Sequence, residues 1–251
     1  MPLARSPLLR CLLLALSLAT AGRAGDLVVS AAASLTEAFQ ELARRHEARH
    51  PGTKVVLNTG ASDKLLQQIL AGAPVDVFAS ADQAAMDRAV AQGAVDAASR
   101  ATFAGNTLVM IIPLEARGLA TPAELLQPQV RRVAIANPAS VPAGRYAREA
   151  LEALGLWRAV EAKAVFGQSV RQCLDYAARG EVDAAFVYAT DAAIQSRKVR
   201  VVATVPTRTP ITYPLALATG TRQAEAARAF VALVLSPEGR AVLARFGFTA
   251  P

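Results

Sequence analysis

Four times in this chain a short apolar run ends in small residues and gives way to a helix-forming stretch. At each joint the residue types suit an anion. Ser34 follows Ala31-Ala32-Ala33, and Ser62 follows Asn58-Thr59-Gly60-Ala61. Ala143 sits within Val141-Pro142-Ala143-Gly144, and Val170 follows Gly167-Gln168-Ser169. A helix start leaves backbone N–H groups without partners and carries a partial positive charge. An anion placed there accepts those hydrogens. Small residues let its oxygens approach the backbone, and a serine hydroxyl adds one more donor. Several such ends meeting at one cleft hold a dianion without lysine or arginine. Each joint taken singly also reads as an ordinary helix cap, and no spacing rule makes the four converge. The residues leave both readings open.

Other chemistries find less support. There is no Gly-x-Ser-x-Gly elbow, no His-Glu-x-x-His pair and no phosphate loop ending in Gly-Lys-Ser/Thr, so an enzyme is not expected. His46 and His50 are one helical turn apart, the spacing of a metal pair. Only Glu47 stands near them as a carboxylate, so they read as surface residues of a helix. Cys173 is read as a buried thiol.

The elements that must carry the four joints follow from periodicity. Leu27–Ser30, Val55–Leu57 and Val75–Ala79 read as strands, each followed by a helical pattern. Ser34-Leu35-Thr36-Glu37 has the form of a capping box. Leu65, Leu66, Ile69 and Leu70 are placed on the inner face of the second helix, and 81–92 forms a third. Asn106–Pro113 reads as one long apolar strand. A second α/β series follows, with strands at Val133–Ala136 and Ala184–Tyr188 and helices around 146–154 and 170–179. Strands at 199–205 and 213–218 and helices at 224–235 and 237–246 close the chain. Two such series with a late return predict an α/β protein of two lobes, each a mainly parallel sheet flanked by helices. The chain crosses between them near 105–113 and 199–206. The lobes are expected at 25–105 plus 207–251 and at 106–206. Ligands of open α/β sheets sit beyond the carboxyl ends of the strands, which here means the cleft between lobes.

The N-terminus has a different character. Arg5 and Arg10 precede an apolar run from Cys11 to Ala21, and Ala19-Thr20-Ala21 and Gly22-Arg23-Ala24 supply small residues for cleavage. That is the pattern of a secretory signal peptide, with cleavage expected after Ala24. Cys11 starts the apolar run rather than ending it, which argues against lipid attachment there. Loss of residues 1–24 removes three arginines and no acids, so the net charge falls from +7 to +4. The mature chain keeps Cys173 as its one cysteine, so no intrachain disulfide forms. Its basic residues are scattered, unlike the clustered charge of a nucleic-acid binder.

Longer blocks carry a resemblance. Ala31-Ala-Ala-Ser-Leu-Thr-Glu-Ala-Phe39, Ala71-Gly-Ala-Pro-Val-Asp-Val-Phe-Ala-Ser-Ala-Asp82 and Gly105-Asn-Thr-Leu-Val109 resemble, in order, motifs of the periplasmic molybdate-binding proteins. Val141-Pro-Ala-Gly-Arg-Tyr-Ala-Arg-Glu-Ala-Leu151, Phe186-Val-Tyr-Ala-Thr-Asp-Ala192 and Arg245-Phe-Gly-Phe248 are similar to later blocks of that family. The resemblance spans the mature chain. It implies a periplasmic binding protein fold of type II and a secreted, monomeric subunit of an ABC importer. That subunit passes molybdate, and tungstate with it, to an inner-membrane permease and needs no cofactor. It implies an oxyanion held by the hydroxyls of Ser34, Ser62 and Tyr188 and by the backbone N–H groups of Ala143 and Val170. Asp63, directly after Ser62, departs from the small or hydroxyl residues expected there and is expected to point to solvent. A fully deprotonated oxyanion needs donors only, whereas monohydrogen phosphate also offers a proton. Sulfate differs from molybdate mainly in size, so sulfate and phosphate stand as the alternatives.

Overall fold

The computed structural model describes residues 25–251. The expected signal peptide lies outside them. The chain runs β1 (Leu27–Ala32), α1 (Thr36–Arg49), β2 (Val55–Gly60), α2 (Ser62–Leu70), β3 (Val77–Ala79), α3 (Gln83–Ala91) and β4 (Ala101–Asn106). It continues with β5 (Leu108–Pro113), β6 (Val133–Ala136), α4 (Pro142–Ala153), α5 (Trp157–Glu161), β7 (Ala164–Gly167), α6 (Val170–Ala178), β8 (Ala184–Tyr188), α7 (Ala189–Ile194) and β9 (Val199–Val205). β10 (Ile211–Leu217), α8 (Ala224–Leu235) and α9 (Pro237–Arg245) complete it.

Two sheets result, β2-β1-β3-β10-β4 and β7-β6-β8-β5-β9. In the first, β1 pairs in parallel with β2 and β3, and β10 runs antiparallel to both its neighbours. In the second, β6 pairs in parallel with β7 and β8, and β5 is the strand that runs against its neighbours. Each lobe is therefore mainly parallel, with one reversed strand. The central strands have few polar residues because helices cover both faces: β8 is buried at every position. Phe39 of α1 meets Phe230 of α8 edge-on with ring centroids 5.9 Å apart, and both are fully buried. Each such side chain stabilises the fold by about 1.5–3 kcal/mol.

Register decides where the joints fall. Ala32 at the end of β1 lies opposite Gly60 at the end of β2, so the turns carrying Ser34 and Ser62 emerge side by side. In the other lobe Ala136 lies opposite Gly167, which sets the starts of α4 and α6 next to each other. Two segments connect the sheets. One is the single residue Thr107 between β4 and β5; the other is 206–210, between β9 and β10. The expected long strand Asn106–Pro113 is thus divided, because the chain changes sheets at Thr107.

Several local expectations are corrected. β4, α5, β7 and α7 lacked clear periodicity in the sequence. Leu70 is 44% exposed, at the end of α2, rather than on its inner face. His46 is not a surface residue: it is 1% exposed, packed against Phe230 and stacked on His50 with centroids 4.4 Å apart. His46 lies where α1 packs on α8, and His50 is exposed.

Candidate functional site

The ends of three strands from each lobe face one small cavity. Ser34, Ser62, Ala143, Val170 and Tyr188 all line it, with Ala81 and Ser169 beside them and no charged side chain. Its volume is about 10 Å³. That is room for about one compact group, too little for a sugar or a peptide. A tetrahedral oxyanion packs its oxygens around one central atom, so their centres span little space.

The donors are built in different ways. Ser34 lies in a short 3₁₀ turn, Ala33–Leu35, and its hydroxyl caps nothing. The expected capping box is absent because Ser34 Oγ is 3.0 Å from Tyr213 Oη and Glu37 reaches Arg171. Ser62 opens α2, and its Oγ accepts the Ala81 N–H at 3.1 Å, which leaves the Ser62 proton for the cavity. Tyr188 is buried, and its hydroxyl has no partner among the described residues. Burial holds that hydroxyl well above its ordinary pKa, so it stays neutral and able to donate. Ala143 and Val170 stand in the first turns of α4 and α6, where N–H groups have no acceptor within the helix. Pro142 fits the first position of α4, since its missing N–H would be unpaired there. Gly144 lets α4 start against the end of β6: a Cβ there would lie 1.9 Å from the Ala136 carbonyl oxygen.

Charge sits around the cavity and not in it. Arg145 of α4 crosses to the other lobe, with Nη1 2.7 Å from Asp63 Oδ2 and Nη2 2.6 Å from Asp82 Oδ2. Asp63 also pairs with Arg88. Asp63 is therefore not turned to solvent: it is 8% exposed and held between two guanidinium groups, so its charge is balanced before it can repel an anion. Arg171 of α6 bonds Glu37 in the first lobe and Asp191 in its own. Burial alone would raise Glu37, but Arg171 outweighs it, so that carboxyl sits below its ordinary value. Burial lifts Asp191 to about 6, against the pull of Arg171. These ion pairs were missed in the sequence. One signal was present: a basic residue in the first turns of a helix opposes its dipole, so Arg145 and Arg171 needed carboxylate partners.

The profile of the bacterial extracellular solute-binding proteins matches residues 27–249. The chain belongs to this family. The molybdate-binding protein ModA of Escherichia coli (strain K12) is 38% identical over 250 residues, covering 94% of this chain and 95% of that protein. Among solved structures, the periplasmic molybdate-binding protein of Azotobacter vinelandii superposes with a TM-score of 0.78 at 27% identity, covering 90% of this chain and 99% of that one. The sulfate-binding protein SubI of Mycobacterium tuberculosis H37Rv also gives 0.78, at 19% identity over 90% of this chain and 87% of that one, which shows the shared fold alone. The ModA resemblance of the sequence motifs and the two-lobed α/β fold hold for this solute-binding protein. No helix among the described residues is long and apolar enough to cross a membrane.

Proposed function

We propose that this solute-binding protein carries molybdate, and tungstate with it, to the permease of an ABC importer. The hydroxyls of Ser34, Ser62 and Tyr188 and the N–H groups of Ala143 and Val170 would hold the oxyanion. The lobes join at Thr107 and at 206–210, one residue later than the expected boundary before residue 106, and close on the ligand. The protein acts in the periplasm as a monomer after cleavage at Ala24. It performs no reaction and needs no cofactor, the oxyanion being cargo. The observation that carries this reading is a cavity sized for one compact group, lined by proton donors and free of charged side chains. A relative whose name gives its ligand as molybdate, 38% identical along nearly the whole chain, supports the choice of oxyanion.

Titration calorimetry of the mature protein with molybdate, tungstate, sulfate and phosphate tests it. Molybdate and tungstate are expected to bind tightly and the other two far more weakly. Sulfate binding of equal strength sinks the specificity claim. Ser34→Ala is expected to weaken molybdate binding by about 1.5–3 kcal/mol, the range for a hydrogen bond to a charged group.

A further inference from the structure

Asn106 ends β4, where the chain leaves the first lobe, and it lines no part of the cavity. Its side chain nevertheless governs a hydroxyl that does. Asn106 Oδ1 accepts the backbone N–H of Thr107 at 2.8 Å. An N–H can only donate, so the amide orientation is fixed: oxygen toward Thr107, nitrogen away. Asn106 Nδ2 then donates to Thr190 Oγ1 at 2.9 Å and to Tyr213 Oη at 3.1 Å. Tyr213 is fully buried, and among the described residues its hydroxyl has one other partner, Ser34 Oγ at 3.0 Å. An amide NH₂ cannot accept, so the Tyr213 proton goes to Ser34 Oγ. Ser34's own proton is left without an acceptor among the described residues, and Ser34 faces the cavity.

We propose that Asn106 and Tyr213 form a polarity relay that makes Ser34 a donor toward the ligand, and so favours fully deprotonated oxyanions over those that carry a proton. The relay runs in one direction, from the Thr107 N–H through Asn106 and Tyr213 to Ser34. Ser62 shows the same polarity by a separate route, since the Ala81 N–H occupies its oxygen. A monohydrogen phosphate turning its P–OH toward Ser34 meets a hydrogen where it needs a lone pair. Molybdate and sulfate present bare oxygens on every side. Asn106 and Tyr213 are positioning residues: they act through Ser34 and touch no ligand.

The inference rests on the oxyanion reading of the cavity, and its test separates the two. Asn106→Asp replaces the donating nitrogen with an accepting oxygen. Tyr213 then donates to residue 106, Ser34 donates to Tyr213, and the Ser34 lone pair faces the cavity. Affinities for molybdate, sulfate and phosphate would be measured by calorimetry at a pH where phosphate is the monohydrogen dianion. The ratio of phosphate to sulfate affinity is expected to shift toward phosphate by about tenfold, the exchange of one favourable contact for one unfavourable one. The added carboxylate acting merely as charge would weaken all three dianions alike and leave that ratio unchanged, which overturns the relay. Tyr213→Phe keeps the ring and removes only the hydroxyl, so it tests the relay if the aspartate variant does not fold. It is expected to move the ratio the same way by a smaller factor, and an unchanged ratio there also overturns the relay. A wild-type protein that binds none of the three anions overturns the oxyanion reading itself.

Discussion

Arg171 and Glu37 face each other across the cleft in a two-pronged ion pair, with Nη1 2.7 Å from Oε1 and Nη2 2.5 Å from Oε2. One residue starts α6 in the second lobe, and the other lies in the first turn of α1 in the first. The same guanidinium donates to Asp191 through Nε at 2.6 Å, within its own lobe. Opening the cleft would thus remove one carboxylate from Arg171 and leave the other. Arg171 would stay paired in either state, and the Glu37 contact would be the part that depends on closure.

Glu37→Gln is therefore expected to speed ligand release rather than to unfold the protein. The pair is partly exposed, so its worth is about 1 kcal/mol, or about a fivefold faster dissociation. Stopped-flow measurement of molybdate release checks this. An unchanged rate would show that the pair forms without holding the lobes together.

How far the sequence reached depends on the range of the interaction. The joints at Ser34, Ser62, Ala143 and Val170 were legible because strand, small residue and helix start are local patterns. Tyr188 came only through the family motif, since nothing in Phe186-Val187-Tyr188 marks a hydroxyl aimed at a cavity. Convergence was not legible. It comes from the register of Ala32 on Gly60 and of Ala136 on Gly167, which no single segment encodes. Asp63 and His46 were misplaced for the same reason. Asp63 meets Arg145 82 residues later, and His46 is covered by Phe230 of α8. The relay from Asn106 to Ser34 passes through Tyr213, 179 residues from Ser34.

Tyr188→Phe separates binding from stability. The hydroxyl is buried and has no partner among the described residues, so the ligand-free protein loses no hydrogen bond without it. Its melting temperature is expected to stay the same or rise. Molybdate affinity is expected to fall by about 1.5–3 kcal/mol, the worth of a hydrogen bond to an anion. Calorimetry and thermal melts on one preparation check both halves. Retained affinity would place the oxyanion away from Tyr188.

Gly144→Ala tests the close approach of α4 to β6. The added methyl would lie 1.9 Å from the Ala136 carbonyl oxygen, a backbone atom that cannot swing aside. The helix start must move, and Ala143 N–H moves with it. Overpacking of this kind costs about 1–3 kcal/mol of stability. Denaturant unfolding is expected to show that loss, and molybdate binding is expected to weaken as well. Wild-type values for both would mean that the α4 start adapts without displacing its donor.

His46 gives the fold a pH dependence of stability. Burial, with the neighbouring His50, pushes its imidazole down to about 4, and neither ring nitrogen has a partner among the described residues. The unfolded chain titrates the same group near its ordinary 6.5. Between those values the unfolded state binds a proton that the native state refuses. Stability therefore rises with pH through this window and is lost as the pH falls from 6.5 toward 4. The loss is on the order of 2 kcal/mol. Asp191 has the opposite sign, because burial raises its carboxyl to about 6, so its contribution falls as the pH rises from 3.8 to 6. Comparing variant with wild type cancels that term. His46→Leu removes the titrating group and two polar atoms that are unpaired among the described residues. It is expected to melt no lower than wild type at pH 7 and to lose less stability between pH 6.5 and 5. Chemical denaturation at several pH values gives the slope directly, and a variant with the wild-type slope would assign the acid sensitivity to another group.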